Sequence, residues 1–188
     1  MRRFRPDSIP DELVSKILWA ATRAPTAGGR ENWFFVVVKS GEARLRLHRL
    51  LIDAHVKYAK EIAKLPPERI ERWRKLMEEG MYLAPLYIAV YIDLGRLSSG
   101  GRRDLSDPEF IMEVQSAAAA MENAILAAWN LGLGSVWLGV PLLLEEEFNE
   151  TLRPPPGHKL MGILAIGYPA ESPKPKARKP VEEVSKIV

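Results

Sequence analysis

Apolar positions fall into two kinds of block, and their order predicts helices alternating with short buried strands. Leu13, Ile17, Leu18 and Ala21 recur at helical spacing. Ser8 with Asp11 resembles a capping box ahead of them, and Pro25 bars the helix beyond Arg23. Residues 34–38 are a continuous apolar, β-branched run, which predicts a strand covered on both faces. Residues 41–65 carry Leu45, Ile52, Val56 and Ala59 along one side, as a second helix does. Pro66 and Pro67 break it, and residues 68–79 restart as a third. Residues 84–92 form another buried strand. Residues 94–107, with Ser98-Ser99-Gly100-Gly101, read as a mobile loop.

The next block organises the rest. From Glu109 a helix of about 23 residues, hence ~34 Å, is expected, with Asp107 as its cap and Pro108 in its first turn. Ala117 to Ala120, Met121, Ala124, Ile125, Ala127 and Ala128 leave small or apolar groups on nearly every side. Such a helix is buried in a core or spans a membrane. Glu113, Gln115, Glu122 and Asn123 leave no run long enough to span, so a central core helix is expected. Its alanines would let a second subunit's backbone approach. Gly132-Leu133-Gly134 ends the helix, and residues 135–139 read as a short strand whose bare backbone beside Gly139 could receive a flat ligand. Residues 143–152 predict a short acidic helix, 154–157 a stiff turn and 159–168 a core strand. The Pro- and Lys-rich stretch 169–188, with a small helix near 181–187, has little to bury against its own domain and is expected on a partner chain.

Composition changes this picture little. At 188 residues, with 47% hydrophobic and 27% charged residues, the chain suits one well-packed domain spanning 1–188. The formal net charge of +3 is not concentrated in one block, and no nucleic-acid motif accompanies it. No cysteine is present, which removes disulfides, thiolate metal sites and cysteine nucleophiles. No apolar run follows the first arginines, so a cytoplasmic protein is expected. Four Asn and one Gln against 15 Pro suit a heat-adapted source.

The usual catalytic signatures are missing. His48, His55 and His158 lack metal-ligand spacing and read as surface or boundary residues, so no metal site is expected. There is no GxGxxG, P-loop or GxSxG, and Glu145-Glu146-Glu147 read as a solvated face. What remains is the small-residue loop from Ala24 to Trp33 and two cationic groups, Arg2, Arg3 and Arg5 near one end and Lys174, Lys176, Arg178 and Lys179 near the other. Alternate cations in an extended segment suit a phosphate.

Together these pieces resemble the nitroreductase family of FMN-dependent oxidoreductases over almost the whole chain. Arg2-Arg3-Phe4 with Ile9-Pro10-Asp11-Glu12-Leu13 is similar to an "R-x-F…V-P-x-E-L" opening. Ala24-Pro25-Thr26-Ala27 through Trp33 is similar to "A-P-S-A-x-N-x-Q-P-W", and the stretch from Gly132 to Gly139 to "G-L-G-s-x-W-i-G". Ile166-Gly167-Tyr168-Pro169 and Lys176-Ala177-Arg178 resemble "i-G-y-P" and a closing "K-x-R". Five weak motifs in the right order make one strong case.

The resemblance implies an α+β fold, a mainly antiparallel sheet flanked by helices, in an interlocked homodimer with FMN between the subunits. The implied FMN-binding residues are Arg2, Arg3, Pro25, Thr26, Ala27, Gly29, Trp137, Leu138, Gly139, Lys176 and Arg178. Pro25, Thr26 and Ala27 would touch the ring, the backbone of Leu138 and Gly139 would face the hydride-accepting nitrogen, and Lys176 and Arg178 would hold the phosphate. Arg2 would sit by the pyrimidine edge, where a fixed cation favours the reduced flavin. No side-chain acid or base is nominated. The implied activity is ping-pong transfer of hydride from NADH or NADPH, through FMN, to a flat electron-poor acceptor such as a nitroaromatic or quinone. Reductive dehalogenation, oxygen-dependent flavin fragmentation and a non-catalytic flavin carrier are the alternatives.

Two departures stand out. Gly29, Glu31 and Asn32 occupy loop positions where the family carries Asn, Gln and Pro, so Glu31 either brings a carboxylate to the pocket or points to solvent. The family's Arg-Arg-Ser before the position of Met1 is absent, so either the tail alone serves, with weaker FMN affinity, or Met1 is an internal methionine, the second being the favoured expectation.

Overall fold

The computed structural model describes residues 1–39, 41–97 and 104–188. The apolar runs pair into one four-stranded antiparallel sheet, β1 (Trp33–Val38), β2 (Leu86–Asp93), β3 (Gly134–Leu138) and β4 (His158–Gly167), in the order β1-β2-β4-β3. Successive side chains point to opposite faces of a strand, so the unbroken apolar run of β2 feeds two cores. Leu86, Ile88, Val90 and Ile92 pack with α1 (Asp11–Ala21) and α4 (Pro108–Asn130), whereas Tyr87, Ala89 and Tyr91 pack with α2 (Gly41–Lys57), α3 (Pro67–Glu78) and α5 (Glu145–Leu152). The α+β class and the antiparallel sheet are as expected. Among the described residues no helix is long and apolar enough to cross a membrane, and no cluster of His, Asp and Glu could hold a metal ion.

Several details correct the sequence reading. No capping box forms at Ser8. Pro10 occupies the cap position, its carbonyl accepting the N–H groups of Leu13 (3.0 Å) and Val14 (3.2 Å). The second helix is α-helical only to Lys57, and a π-helical turn (Tyr58–Ile62) carries the chain towards Pro66. β1 is not covered on both faces: it lies at the sheet edge, and Phe34 stays 40% exposed. The expected loop at Ser98–Gly101 lies outside the described residues. A short helix (Val181–Val184) forms near the end of the chain.

α4 begins as read, with the Asp107 carboxylate accepting the Glu109 N–H at 2.9 Å. It is not covered all round, however. Ala117, Ala120, Met121, Ala124 and Ala128 face the core, while Met112, Leu126 and Trp129 stand exposed. His48 and His55 are buried rather than surface residues. Their rings donate to the carbonyls of Met81 (3.0 Å, from Nε2) and Leu51 (2.7 Å, from Nδ1). Burial holds both below the ordinary histidine value, against the opposing pull of those hydrogen bonds.

Glu145 is likewise no solvated carboxylate. Pairing of β2 with β4 shifts register between Val90 and Tyr91, whose partners are Gly162 and Leu160, so Met161 is left over as a bulge. Beside it, Glu145 accepts the N–H of Leu160 and the ammonium of Lys159, each at 2.8 Å. One carboxylate thus ties α5 to an irregular strand.

Candidate functional site

The residues singled out in the sequence, Lys176 and Arg178 apart, fall into three groups. The first is the turn after α1. Pro25 prevents helix continuation, and Ala27–Gly29 coil into a single 3-10 turn. Gly28 and Gly29 have φ of 57° and 64°, and Glu31 adopts φ of 49°. A Cβ added at either glycine would meet nothing within 4 Å, so their requirement is conformational, not steric. The Thr26 hydroxyl oxygen accepts the Glu31 N–H at 3.2 Å and closes the turn. The Glu31 side chain points to solvent.

This turn lies on the first half of α4. The Ala27 N–H donates to Ser116 Oγ at 3.0 Å, and that hydroxyl donates to the Met112 carbonyl at 2.8 Å. Arg30 Nε donates to the Glu113 carboxylate at 2.9 Å, and its Nη1 pairs with Glu109. A shallow groove of about 390 Å³ runs between Pro25, Thr26 and Ala27 on one side and Met112, Gln115 and Ala119 on the other. Arg30, Glu113 and Ser116 were missed by sequence reasoning. The three-residue spacing of Glu113 and Ser116 puts them on one face of α4, but nothing in the sequence shows that Arg30 and Ala27 come to meet them there.

The second group gathers the early arginines against the start of the tail. Phe4 bridges to Pro169, Arg5 N–H donates to the Tyr168 carbonyl at 2.9 Å, and Ala170 N–H donates to that of Arg3 at 3.1 Å. The Glu171 carboxylate accepts the N–H groups of Arg2 and Arg3. Arg2 Nε reaches the Tyr82 hydroxyl at 3.3 Å, and Arg3 donates to the Glu79 carbonyl at 3.0 Å. Tyr82 itself has φ of 67°, an unusual conformation for a bulky residue. It is held by its N–H to the Arg2 carbonyl (2.8 Å) and by its own carbonyl accepting from the Tyr87 hydroxyl (2.7 Å).

The third group is the end of β3. Leu138 is buried, Trp137 is 40% exposed, and Gly139 leaves the strand into the 3-10 turn Val140–Leu144. Nothing lies within 4 Å of a Cβ built on Gly139. Among the described residues β3 is an outer strand, so its far side presents backbone N–H and C=O groups that no neighbouring strand takes up. An open glycine at the end of such an edge can admit a flat molecule against the main chain.

Lys176 and Arg178 join none of these groups. Both are exposed, and among the described residues neither makes a hydrogen bond or ion pair. The turn at Pro25 packs against the α1–α4 face of the sheet, while Phe4 and Leu138 pack against the α2–α3 face. Within one chain the sites therefore stand on two faces.

Residues 1–168 match the profile of the Nitroreductase family. The chain is 32% identical over 172 residues to a 5,6-dimethylbenzimidazole synthase of Rhodospirillum rubrum, covering 91% of this chain and 78% of that protein. It is 30% identical over 200 residues to an NADH dehydrogenase of Thermus thermophilus, covering 98% and 89%. Among solved structures, a BluB-like flavoprotein from Clostridium difficile superposes with a TM-score of 0.77 at 28% identity, over 100% of this chain and 93% of that one. With its antiparallel sheet between helical layers, the chain belongs to the Nitroreductase family.

Proposed function

We propose that this chain is an FMN-dependent oxidoreductase that works as a homodimer, taking hydride from NADH or NADPH and reducing an electron-poor acceptor such as a nitroaromatic or a quinone. The observation that carries the reading is the bare end of β3. Its exposed edge terminates at Gly139 with open space where a side chain would stand, in a member of the Nitroreductase family. The names of the relatives, an NADH dehydrogenase and a BluB-like flavoprotein, favour nicotinamide and flavin.

The donor set suits FMN. Main-chain groups at Leu138 and Gly139 would lie against the ring, and Arg2, oriented by the Tyr82 hydroxyl, would stand at the edge that gains negative charge on reduction. The exposed cations Lys176 and Arg178 would hold the phosphate. Pro25, Thr26 and Ala27 would cover the ring from the partner subunit, which accounts for their lying on a different face of the sheet from Leu138. Bound FMN would supply the redox chemistry itself, and the protein's part would be to position, to orient and to exclude water. Residues 169–188 would serve as an arm on the partner, and the exposed face of α4 at Leu126 and Trp129 would be covered in the dimer.

The test is a visible spectrum of the purified chain with FMN, before and after NADH. A yellow protein that bleaches on NADH and recovers its colour with a quinone supports the reading. A chain that takes up no FMN defeats it. A second reading, oxygen-dependent fragmentation of the flavin, is favoured by the 32% identity to a 5,6-dimethylbenzimidazole synthase. Under that reading, flavin absorbance lost during aerobic turnover would not return when NADH is exhausted.

A further inference from the structure

Glu113 is completely buried in the side of α4, and charged carboxylates are rarely buried unless paired. Its partner is not on a neighbouring helix but in the turn after α1, where Arg30 Nε donates to Glu113 Oε1 at 2.9 Å. The same guanidinium reaches Glu109, one helical turn earlier, through Nη1. Glu109 and Glu113 are four residues apart and so stand one above the other on the helix. The planar fork of arginine can reach both carboxylates at once, which a lysine ammonium does far less well.

The turn has reason to need such a fastening. Gly28, Gly29 and Glu31 all hold left-handed backbone, a conformation that a free chain of these residues populates only in part. Two links to α4 bracket the glycines: the Ala27 N–H on Ser116 Oγ before them and the Arg30 side chain on Glu113 and Glu109 after them. Of the residues assigned to the ring, Pro25 and Thr26 lie immediately ahead of this clamp and Ala27 forms its first link.

We infer that Arg30 and Glu113 are a positioning pair for the flavin site: they fasten the left-handed turn to α4 and so fix the face that Pro25, Thr26 and Ala27 present to the ring. The inference rests on the flavin reading given above. The pair does not touch the cofactor; it acts through the turn.

The experiment uses the full chain and the variants Glu113→Gln, Arg30→Met, Arg30→Lys and the Arg30→Met/Glu113→Gln double variant. FMN affinity is read from quenching of flavin fluorescence. Backbone amide exchange is followed at Ala27 to Glu31 in flavin-free protein, with β2 amides as the internal control. The expected result is a loss of FMN affinity of about tenfold or more in Glu113→Gln and Arg30→Met, with no further loss in the double variant. Exchange should quicken in the turn while β2 stays protected, and Arg30→Lys should recover part of both. Equal acceleration in the turn and in β2 would make the pair a mere contributor to global stability and overturn the inference, as would additive losses in the double variant. Wild-type protein that binds no FMN would defeat the flavin reading and this role together. Wild-type binding with unaltered variants would defeat the pair alone.

Discussion

The imidazole of His55 lies flat against the phenol ring of Tyr82, with centroids 5.0 Å apart and planes inclined by 17°. Trp73 meets the same imidazole edge-on at 5.8 Å. Burial in this stack depresses the His55 pKa, and His48, two turns back on the same side of α2, is depressed for the same reason. Above the unfolded value of about 6.5 neither state carries the protons, and stability is full. As pH falls below that value the unfolded chain takes up protons that the folded rings refuse, and stability is lost until the folded-state values are passed. Each histidine should contribute a slope of up to about 1.4 kcal/mol per pH unit within its window. Urea midpoints should therefore be lower at about pH 5.5 than at about pH 7.5, and His55→Phe should flatten the difference. Identical midpoints at the two pH values would contradict this account.

Gly162 lies under the Trp137 indole. A Cβ there would stand 2.7 Å from the indole nitrogen, 3.1 Å from Met121 Cε and 3.3 Å from the Leu138 carbonyl, on a backbone with φ of 154°. Overpacking of this kind costs about 1–3 kcal/mol, and the backbone strain adds to it. Gly162→Ala is expected to lower the thermal midpoint and to shift Trp137 fluorescence. An unchanged melting curve would show that the indole moves aside freely.

Glu145 is the joint between α5 and the bulge in β4. Glu145→Ala leaves the Leu160 N–H and the partly exposed Lys159 ammonium without their acceptor, a loss of about 1 kcal/mol or somewhat more, carried mainly by the Leu160 N–H because water can take over the ammonium. Chemical denaturation should show it, while FMN uptake at saturating flavin should be unchanged. Wild-type stability in the variant would mean that water replaces the carboxylate.

Lys176 and Arg178 carry no structural duty in the described residues, so their removal tests ligand binding cleanly. The Lys176→Ala/Arg178→Ala variant should fold with an unaltered thermal midpoint. Its FMN dissociation constant should rise about tenfold or more, since hydrogen bonds to charged groups are worth roughly 1.5–3 kcal/mol each. Equal FMN affinity in the variant and the wild type would remove these residues from the site.

Leu126 and Trp129 are 57% and 72% exposed on α4. If a second copy covers them, Leu126→Glu with Trp129→Glu should convert a dimer into a monomer in analytical ultracentrifugation, with loss of FMN binding. A wild-type chain that already sediments as a monomer would remove the dimer from the proposal.

Local chemistry explains which features could be read in advance. Asp107 and Pro108 announced the start of α4 because a cap and a first-turn proline act within a few residues. The runs now seen as β2 and β4 were legible because strands buried on both faces need unbroken apolar sequence. Phe34 to Val38 carries the same signal but forms an edge strand, since strand order depends on distant partners. The histidines were misjudged for a related reason: a seven-residue spacing on α2 does not reveal that Tyr82 and Met81 will come to cover it. At the candidate site, the small-residue turn and Gly139 could be read from composition. Arg30 and Glu113 could not, because only the packing of α1 against α4 brings them within reach.

The bridge between Phe4 and Pro169 also has a temporal meaning. Phe4 precedes all four strands and Pro169 follows them, so the contact cannot close until the whole sheet has been synthesised. The four strands can pair beforehand, and Arg2 and Arg3 can meet Tyr82 and Glu79, but their contacts to Ala170 and Glu171 wait for those residues to emerge. Closure of this clasp is therefore a late event in folding, and a chain stalled just after β4 would hold an assembled sheet with Arg2 and Arg3 only half fastened.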